Sequence, residues 1–294
     1  MDGFLLVDKP PGMTSHDVVA VVRRITGMKK IGHTGTLDPL ATGLLVLCLG
    51  AATKAVAYLT DEPKVYRVEA ELGTSTDTQD RTGRVLTRHP ECAVTHRALR
   101  ETLAGFRGPG LQVPPLYSAV RVGGERLYRL ARAGRTAVVP PRRIHIEAIT
   151  LDWPTEAERP LFRCGDRFGF TVSGSRGLYV RTLCHDLGEK LGCGAHLVEL
   201  RRLAAGPFRL AEAVPLAELT RERVAQNLIP IGRALAHLPS VILAPPSLVR
   251  VQHGNPVCLA EPGEATMVLA LDETGKAVAV LARRGNLWQP VRVF

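Results

Sequence analysis

The carboxylate best placed for chemistry is Asp38, which lies in the stretch 32–43, GHTGTLDPLATG. Pro39 disfavours the helical region for Asp38 and directs it towards an extended or turn geometry. The apolar run 44–49 (LLVLCL) follows and predicts a buried strand. We therefore expect Asp38 on a loop that a core strand positions. There it could act as a nucleophile, or it could simply form an Asx turn.

Tyr66 and Arg181 are the other candidates for catalytic side chains. The stretch 65–72 alternates apolar and polar residues, which predicts a strand with Tyr66 on its inward face. A core tyrosine with a satisfied hydroxyl is the alternative. Arg181 follows a predicted strand at 168–173 and begins a predicted helix. Because a helix N-terminus disfavours an unpaired cation, we expect a carboxylate partner for Arg181.

Short strands and helices are predicted to position these residues. The polar string 73–85 predicts a loop ordered by Asp77 and Asp80. The other predicted elements before residue 207 are a strand at 4–7, a helix from its cap Ser15 to 26, a short helix at 52–59 that carries Lys54, a helix at 95–104, and a helix at 194–206 that carries Leu200 and Arg202.

Charge and composition narrow the class of protein. The 294 residues carry a formal net charge of +10 and 45% hydrophobic residues. This balance favours a folded protein with a polyanionic partner, foremost nucleic acid, although many basic proteins bind nothing acidic. The six cysteines form no Cys-x-x-Cys pair, and no signal peptide or long apolar run is present. We expect reduced thiols, no membrane span and a cytoplasmic location.

Residues 112–143 form a basic insertion. Its arginines predict a surface that tracks phosphates, and an exposed basic hairpin without a ligand is the alternative. The arginines of this insertion are Arg121, Arg126, Arg129, Arg132, Arg135, Arg142 and Arg143. After residue 238 the composition changes to short apolar strands separated by turns, following a linker with Pro245 and Pro246. We predict a small all-β unit there.

Several motifs together resemble the bacterial tRNA pseudouridine-55 synthase (TruB) family. Besides the Asp38 loop, they are DKPPGMTS at 8–15, KVYRV at 64–68, PPLYSAVRVGG at 114–124 and GLYVRTL at 177–183. They follow the family's order and cover residues 1–235. Arg121 and Arg176 stand where lysines are usual, and Leu178 stands for a common threonine. Arg121 keeps the charge but changes its geometry.

The resemblance implies an α/β (α+β) pseudouridine synthase fold, with a large mixed, mainly antiparallel sheet flanked by helices. It implies a catalytic domain at 1–238 and a small all-β PUA-like RNA-binding domain at 239–294. The implied enzyme is an isomerase that converts the T-loop uridine at position 55 of tRNA to pseudouridine.

The resemblance also assigns roles to residues. Asp38 would be the nucleophile, Arg181 would pair with it, and Tyr66 would stack on the target base. His33 would occupy the position left by the flipped base. The other predicted substrate-binding residues are Tyr179, Leu200, Lys54 and Arg202. The reaction requires neither a metal nor an organic cofactor.

The implied partner is tRNA, recognised at its T-arm and T-loop by a monomer that needs no obligate protein partner. Two alternatives stay open at this point. A non-catalytic RNA-binding or RNA-folding protein would share the basic charge and the β unit. A synthase that acts on rRNA, or on several RNAs, would share the chemistry.

Overall fold

The computed structural model describes residues 1–118, 120–135, 138–259 and 264–294. Positions 119, 136 and 137 of the predicted basic insertion, and the side chain of Arg132, therefore lie outside the described part. The chain divides into two compact units. The first unit combines Met1–Asp61 with Ala205–Phe294, and the second unit is Glu62–Ala204.

The N-terminal part of the first unit is built around two buried strands. Its elements are β1 (Gly3–Lys9), α1 (Ser15–Thr26), β2 (Ile31–His33) and β3 (Thr42–Leu49), followed by 3₁₀ turns at Gly50–Lys54 and Val56–Tyr58. β3 pairs antiparallel with β1 and with β2. Its residues from 43 to 49 are all buried, as the apolar run predicts.

Helix α1 begins one residue earlier than the sequence suggested. Thr14, not Ser15, is the N-cap, and Thr14 and Asp17 form a capping box. The prediction of Ser15 as the cap is therefore wrong, because Ser15 is buried and its hydroxyl is used elsewhere. The predicted helix at 52–59 is also wrong in type, since two 3₁₀ turns cover that segment.

The stretch from 62 to 205 contains most of the strands. They are β4 (Lys64–Leu72), β5 (Thr74–Thr76), β6 (Val85–Arg88), β7 (Val94–Thr95), β8 (Gly108–Gln112), β9 (Arg121–Val122), β10 (Glu125–Arg126), β11 (Arg142–Trp153), β12 (Leu161–Phe162), β13 (Arg167–Gly174) and β14 (Ala195–Ala205). The helices are α2 (His96–Ala104), α3 (Leu127–Arg132) and α4 (Val180–Lys190). The main sheet of this unit has the order β14-β4-β13-β11-β8, and β5 and β6 form a separate ribbon.

Strand β14 replaces the helix that we predicted at 194–206. The leucines at 197, 200 and 203 have a helical spacing, but the consecutive residues 195–198 are all buried. A strand covered on both faces gives such a continuous buried run, which periodicity alone does not separate from a helix. One consequence is that Leu200 and Arg202 share a face of β14 instead of lying on opposite faces of a helix.

The C-terminal part of the first unit completes the fold. It contains β15 (Phe208–Arg209), β16 (Val214–Pro215), α5 (Arg221–Gln226), α6 (Ile231–Ala234), β17 (Ser240–Ile242), α7 (Pro245–Gln252), β18 (Met267–Leu271), β19 (Ala277–Arg284) and β20 (Leu287–Val293), with 3₁₀ turns at Leu210–Glu212 and Leu216–Glu218. β16 pairs parallel with β1. The last four strands form one sheet in the order β17-β18-β19-β20.

Pro245 and Pro246 do not form a linker. They begin α7, where a proline at the first helical position costs no hydrogen bond. The buried side chain of Val251 in α7 belongs to the core of the four-stranded sheet, with Leu243, Val268 and Trp288. The predicted strands of this region are otherwise present.

The predicted α/β class is confirmed, with mixed, mainly antiparallel sheets flanked by helices and a C-terminal β-sheet. The domain boundary after residue 238 stays a prediction. All six cysteines are free thiols. Within the described residues, no helix combines the length and the apolar character that crossing a membrane requires.

Candidate active site and RNA interface

Asp38 lies in the first unit, in the loop between β2 and β3, and is half-buried. Its carbonyl oxygen accepts a hydrogen bond from the N–H of Ala41 at 3.0 Å, which closes a turn. Leu37, directly before it, is only 3% exposed. The loop is therefore fixed by a buried neighbour and by its own backbone, as the predicted position after a core element requires.

Ser15 fixes the residue that precedes Asp38. Its Oγ accepts a hydrogen bond from the Leu37 N–H at 2.8 Å and donates to the Leu37 carbonyl at 3.2 Å. Ser15 is 1% exposed, so water does not compete for these bonds. Because one side chain pairs both polar groups of Leu37, the backbone on the N-terminal side of Asp38 is held in one position.

Lys9 fixes the residue that follows Asp38. Its fully buried Nζ donates to the carbonyls of Pro39 at 3.3 Å, Pro10 at 2.9 Å and Met13 at 2.7 Å. The Gly12 N–H also donates to the Pro39 carbonyl, at 2.8 Å. A buried ammonium needs such acceptors. The stretch 8–15, which the sequence alone showed only as a turn, thus holds the Asp38 loop from both sides.

His33 and Lys54 are the other predicted site residues of the first unit. His33 ends β2, and its ring meets the ring of His16 edge to face, with centroids 5.5 Å apart and an interplanar angle of 83°. Lys54 is exposed, and its Nζ donates to the carbonyl of Val293 in β20 at 2.8 Å. His33 is therefore next to the Asp38 loop, whereas Lys54 contacts the C-terminal sheet.

Arg181 lies in the second unit as the second residue of α4, and it is 3% exposed. Its Nη1 donates to the carbonyl of Thr78 and its Nη2 to the carbonyl of Tyr117, both at 2.9 Å. Nη1 also lies 3.7 Å from Oδ2 of Asp80. The carboxylate partner that we expected for a cation at this helix end is thus present within the unit.

Asp80 is itself a buried and well-bonded carboxylate, 4% exposed. Its Oδ1 accepts hydrogen bonds from the hydroxyls of Thr78 and Thr82 and from the Thr82 N–H, at 2.8, 2.6 and 2.9 Å. Asp77 accepts from the Arg84 N–H at 2.9 Å. The prediction that both carboxylates order this loop is confirmed, and Asp80 additionally neutralises Arg181.

The loop that carries Asp80 is tied to two neighbouring elements of the second unit. Gln79 has a positive φ of 62°, and its side-chain oxygen accepts from the Thr182 hydroxyl in α4 at 2.7 Å. On the other side, the Leu197 N–H of β14 donates to the Gln79 carbonyl at 3.1 Å. This loop therefore supports the start of α4, where Arg181 lies.

Tyr179 precedes α4 and is held by Gln112, which is 4% exposed. The Gln112 amide accepts from the Tyr179 N–H at 2.8 Å and donates to the Tyr179 carbonyl at 3.1 Å. The Tyr179 side chain packs against the cluster of Val120, Leu127 and Leu130 in the basic insertion. The aromatic ring is thereby placed beside the insertion.

The remaining predicted residues of the second unit lie on its main sheet. Tyr66 is half-buried in β4, opposite Val172 of β13. On β14, Leu200 and Arg202 are buried, at 7% and 2% exposure. Of the predicted set, Asp38, His33 and Lys54 therefore belong to the first unit, and Tyr66, Tyr179, Arg181, Leu200 and Arg202 to the second.

The basic insertion presents exposed guanidinium groups. Arg121, Arg129, Arg142 and Arg143 are exposed, and Arg135 forms an ion pair with Glu125 at 3.0 Å. Hydrogen bonds from Arg126 and then Arg129 hold the pKa of the Tyr128 hydroxyl below its usual value. This shift has the sign that a locally positive potential produces.

Four residues position the candidate site in a way that the sequence did not predict. Lys9 and Ser15 were read only as part of a motif or as a cap, and Gln112 only as the start of the insertion. Asp80 was expected to order its loop but not to pair with Arg181. Within the described part of the chain, no group of three or more His, Cys, Asp or Glu side chains is arranged to hold a metal ion.

Comparison with solved structures finds chains with a similar fold. A chain in the crystal structure of a Cbf5–Nop10–Gar1 complex is 26% identical, with a TM-score of 0.72, and the match covers 99% of this chain and 84% of that one. A chain in the structure of an H/ACA RNP bound to a substrate RNA containing 2′-deoxyuridine has the same TM-score at 24% identity, with the same coverage.

Sequence comparison gives closer relatives. The tRNA pseudouridine synthase B of Geobacter sulfurreducens is 44% identical over 98% of this chain and 95% of its own length. That of Bacillus licheniformis is 42% identical over 100% and 97%. The family model for the N-terminal domain of TruB family pseudouridylate synthases matches residues 23–180, and that for the tRNA pseudouridylate synthase B C-terminal domain matches 181–237. The chain therefore belongs to the TruB family of pseudouridylate synthases.

Proposed function

We propose that this protein isomerises the T-loop uridine at position 55 of tRNA to pseudouridine, with Asp38 as the nucleophile and with the target base flipped out of the RNA. Membership of the TruB family supports the isomerase class and the tRNA substrate. The observation that carries the assignment of Asp38 is the pair of contacts on either side of it, from Ser15 to Leu37 and from Lys9 to Pro39.

The reaction explains why the backbone must be so firmly held. The N-glycosidic bond breaks, the uracil turns, and a carbon–carbon bond forms to the same sugar. A carboxylate at a fixed position can attack, or can stabilise the oxocarbenium-like charge that develops on the sugar. Holding the residues before and after Asp38 limits the movement of its carboxylate, and such positioning lowers the barrier.

Tyr66 and Arg181 receive the other catalytic roles in this proposal. Tyr66 would stack on the uracil and hold it while it is detached. Arg181 would contribute positive charge near the reacting groups. Its ion pair with Asp80 would partly neutralise this charge. The pairing of Arg181 with Asp38 stays a prediction that rests on the resemblance.

Base flipping costs a few kcal/mol, which the protein must offset by new contacts. We propose that His33 occupies the vacated stacking position and that Tyr179 and Leu200 contact the flipped uridine. The edge-to-face contact with His16 supports this role, because it restricts the orientation of the His33 ring. Lys54 and Arg202 would add positive charge for the RNA.

We also propose how the RNA is held. The exposed arginines of the basic insertion would contact phosphates of the T-arm, and residues 239–294 would form a PUA-like RNA-binding domain. The protein would act in the cytoplasm as a monomer, without an obligate protein partner.

The test is pseudouridine formation in an unmodified tRNA transcript, mapped to the nucleotide. We expect product at position 55 with the wild type and with Asp152→Asn, which changes an exposed surface carboxylate. We expect none with Asp38→Asn, although this variant should still bind the tRNA. Product from Asp38→Asn would remove Asp38 as the nucleophile. A wild type that bound RNA but modified neither tRNA nor rRNA would instead be an RNA-binding protein.

A further inference from the structure

Ser118, near the start of the basic insertion, has a buried hydroxyl that the protein does not use. The residue is 5% exposed. Among the described residues, its Oγ has no hydrogen-bond partner. A polar group that is buried without a partner costs free energy, and most such groups in folded proteins are paired. The Ser118 hydroxyl therefore requires a functional or a structural explanation.

Two histidine nitrogens make a useful contrast with this hydroxyl. In the described part of the chain, Nδ1 of His96 and Nδ1 of His185 are also buried without a hydrogen bond. A neutral imidazole carries its proton on one nitrogen, so the other nitrogen only accepts. A hydroxyl always carries a proton to donate, and Ser118 has no second polar atom in its side chain. What Ser118 lacks is thus an acceptor.

The backbone places Ser118 close to Arg181. The carbonyl of Tyr117, directly before Ser118, accepts a hydrogen bond from Nη2 of Arg181 at 2.9 Å. Covalent geometry therefore keeps the Ser118 Oγ within about 8 Å of that nitrogen. Arg181 is only 3% exposed, so both side chains lie beneath the surface of the same unit.

The segment around Ser118 also contacts Tyr179. Val120 belongs to the apolar cluster against which the Tyr179 side chain packs. The Ser118 carbonyl accepts a hydrogen bond from the Tyr128 N–H at 3.1 Å, which fixes the backbone between these contacts. Ser118 is therefore held near two residues, Tyr179 and Arg181, to which the proposed function assigns a role at the target uridine.

We propose that Ser118 is a further substrate-binding residue, whose hydroxyl donates a hydrogen bond to a carbonyl oxygen of the flipped uracil. This inference rests on the proposed function, because it needs the uridine to lie against Tyr179 and Arg181. Enzymes read a flipped base by hydrogen bonds to its Watson–Crick edge, and uracil presents carbonyl acceptors there. The bond would pair the hydroxyl and would favour uracil over a base that lacks the carbonyl.

Pseudouridine formation in a tRNA transcript tests this proposal with Ser118→Ala. We expect kcat/KM to fall about tenfold, the effect of one lost hydrogen bond. The urea midpoint of unfolding should stay unchanged, since the hydroxyl has no partner among the described residues. Ser173→Ala is the matched control, because the Ser173 hydroxyl donates to Glu147 at 2.8 Å, and it should leave kcat/KM unchanged.

The results that would overturn the proposal differ from those that would overturn the proposed function. If the wild type forms pseudouridine and Ser118→Ala keeps the same kcat/KM, only the role of Ser118 fails. A lower urea midpoint in Ser118→Ala would assign the hydroxyl to the fold and would also remove that role. A wild type without product would remove the proposed function, and the inference with it.

A second measurement identifies the acceptor and needs no turnover. In the Asp38→Asn background, Ser118→Ala should weaken binding of the uridine transcript about tenfold. Because sulfur is a weak acceptor, this difference should shrink to about twofold with either 2-thiouridine or 4-thiouridine at position 55. It should persist with 2′-deoxyuridine. A difference that persists with both thio analogues, or that disappears with 2′-deoxyuridine, would exclude a uracil carbonyl as the acceptor.

Discussion

Asp38 and Arg181 are both candidate catalytic residues, but the two units hold them in different ways. Around Asp38, the contacts from Ser15 and Lys9 reach the backbone of the neighbours Leu37 and Pro39. In Arg181, the guanidinium itself bonds to Thr78, Tyr117 and Asp80. These contacts hold Asp38 through the backbone of its neighbours and hold Arg181 through its own guanidinium. Loss of the Arg181 side chain should therefore lower stability as well as activity, and by more than Asp38→Asn, which keeps the backbone contacts of the loop.

The largest expected effect is on the free energy of unfolding, where Arg181→Met and Asp38→Asn should differ. Arg181→Met leaves the buried carboxylate of Asp80 without its cation, so we expect the free energy of unfolding to fall by about 3 kcal/mol. Asp38→Asn keeps the shape of the side chain and the backbone contacts of the loop, and we expect a smaller loss, of about 1 kcal/mol. Both variants should lose activity. Urea denaturation of each variant measures the difference.

Arg100→Met is the matched control, because Arg100 is an exposed arginine on α2. It should change neither the stability nor the activity. If Arg181→Met were as stable as this control, the contacts of the Arg181 guanidinium would contribute little to the fold, and the contrast between the two units would disappear.

The second largest loss of stability is expected from a substitution of Asp80, the ion-pair partner of Arg181. Asp80→Asn removes the negative charge and places an amide group beside the Arg181 guanidinium, so we expect a loss of about 2 kcal/mol. Activity should fall as well, because Arg181 loses the carboxylate that orients it. Asp77→Asn is the control in the same loop, since Asp77 accepts a hydrogen bond from the Arg84 N–H. Equal losses from both variants would assign Asp80 to loop order alone.

A smaller loss of stability is expected from Ser15→Ala, which tests whether Ser15 positions the Asp38 loop. Ser15→Ala leaves the buried N–H and carbonyl of Leu37 without their shared partner, which should cost about 1–2 kcal/mol. Thr14→Ala removes the N-cap of the same helix and should cost about 1 kcal/mol. Only Ser15→Ala should also lower kcat for pseudouridine formation, since only Ser15 contacts the loop. Equal kcat values in the two variants would contradict the role of Ser15 in positioning Asp38.

The same contrast explains what the sequence could predict. The Asp38 loop and the segment that supports it are compact motifs, and Ser15 and Leu37 are 22 residues apart. Thr78 and Arg181 are 103 residues apart, and Tyr117 and Arg181 are 64 apart. A motif records which residues occur together, but the meeting of distant segments depends on strand order, which periodicity does not give. The sequence therefore led to Arg181 and to the need for a carboxylate, but not to Asp80.

Secondary-structure elements were likewise predicted correctly where the local pattern sufficed and wrongly where distant segments mattered. The strand at Lys64–Leu72 alternates between a covered and an open face, and this pattern identified it. The first four residues of β14 are all buried, so the strand does not alternate there, and its leucines at a spacing of three residues matched a helix by chance. At α7, the pair Pro245 and Pro246 was read as a break, because prolines begin helices as well as end them. The local pattern was thus least informative where burial by distant elements decided the structure.

The smallest expected effect concerns Lys54, which the structure places against β20 in the first unit. Its hydrogen bond to the Val293 carbonyl is exposed, so Lys54→Gln should change the free energy of unfolding by less than about 0.5 kcal/mol. If Lys54 contacts an RNA phosphate as proposed, the slope of log K against log salt for tRNA binding should become shallower by about one. Lys190→Gln, which changes an exposed lysine at the end of α4, should leave the slope unchanged. A loss of stability without a change of slope in Lys54→Gln would show that Lys54 ties β20 to the rest of its unit and does not bind RNA.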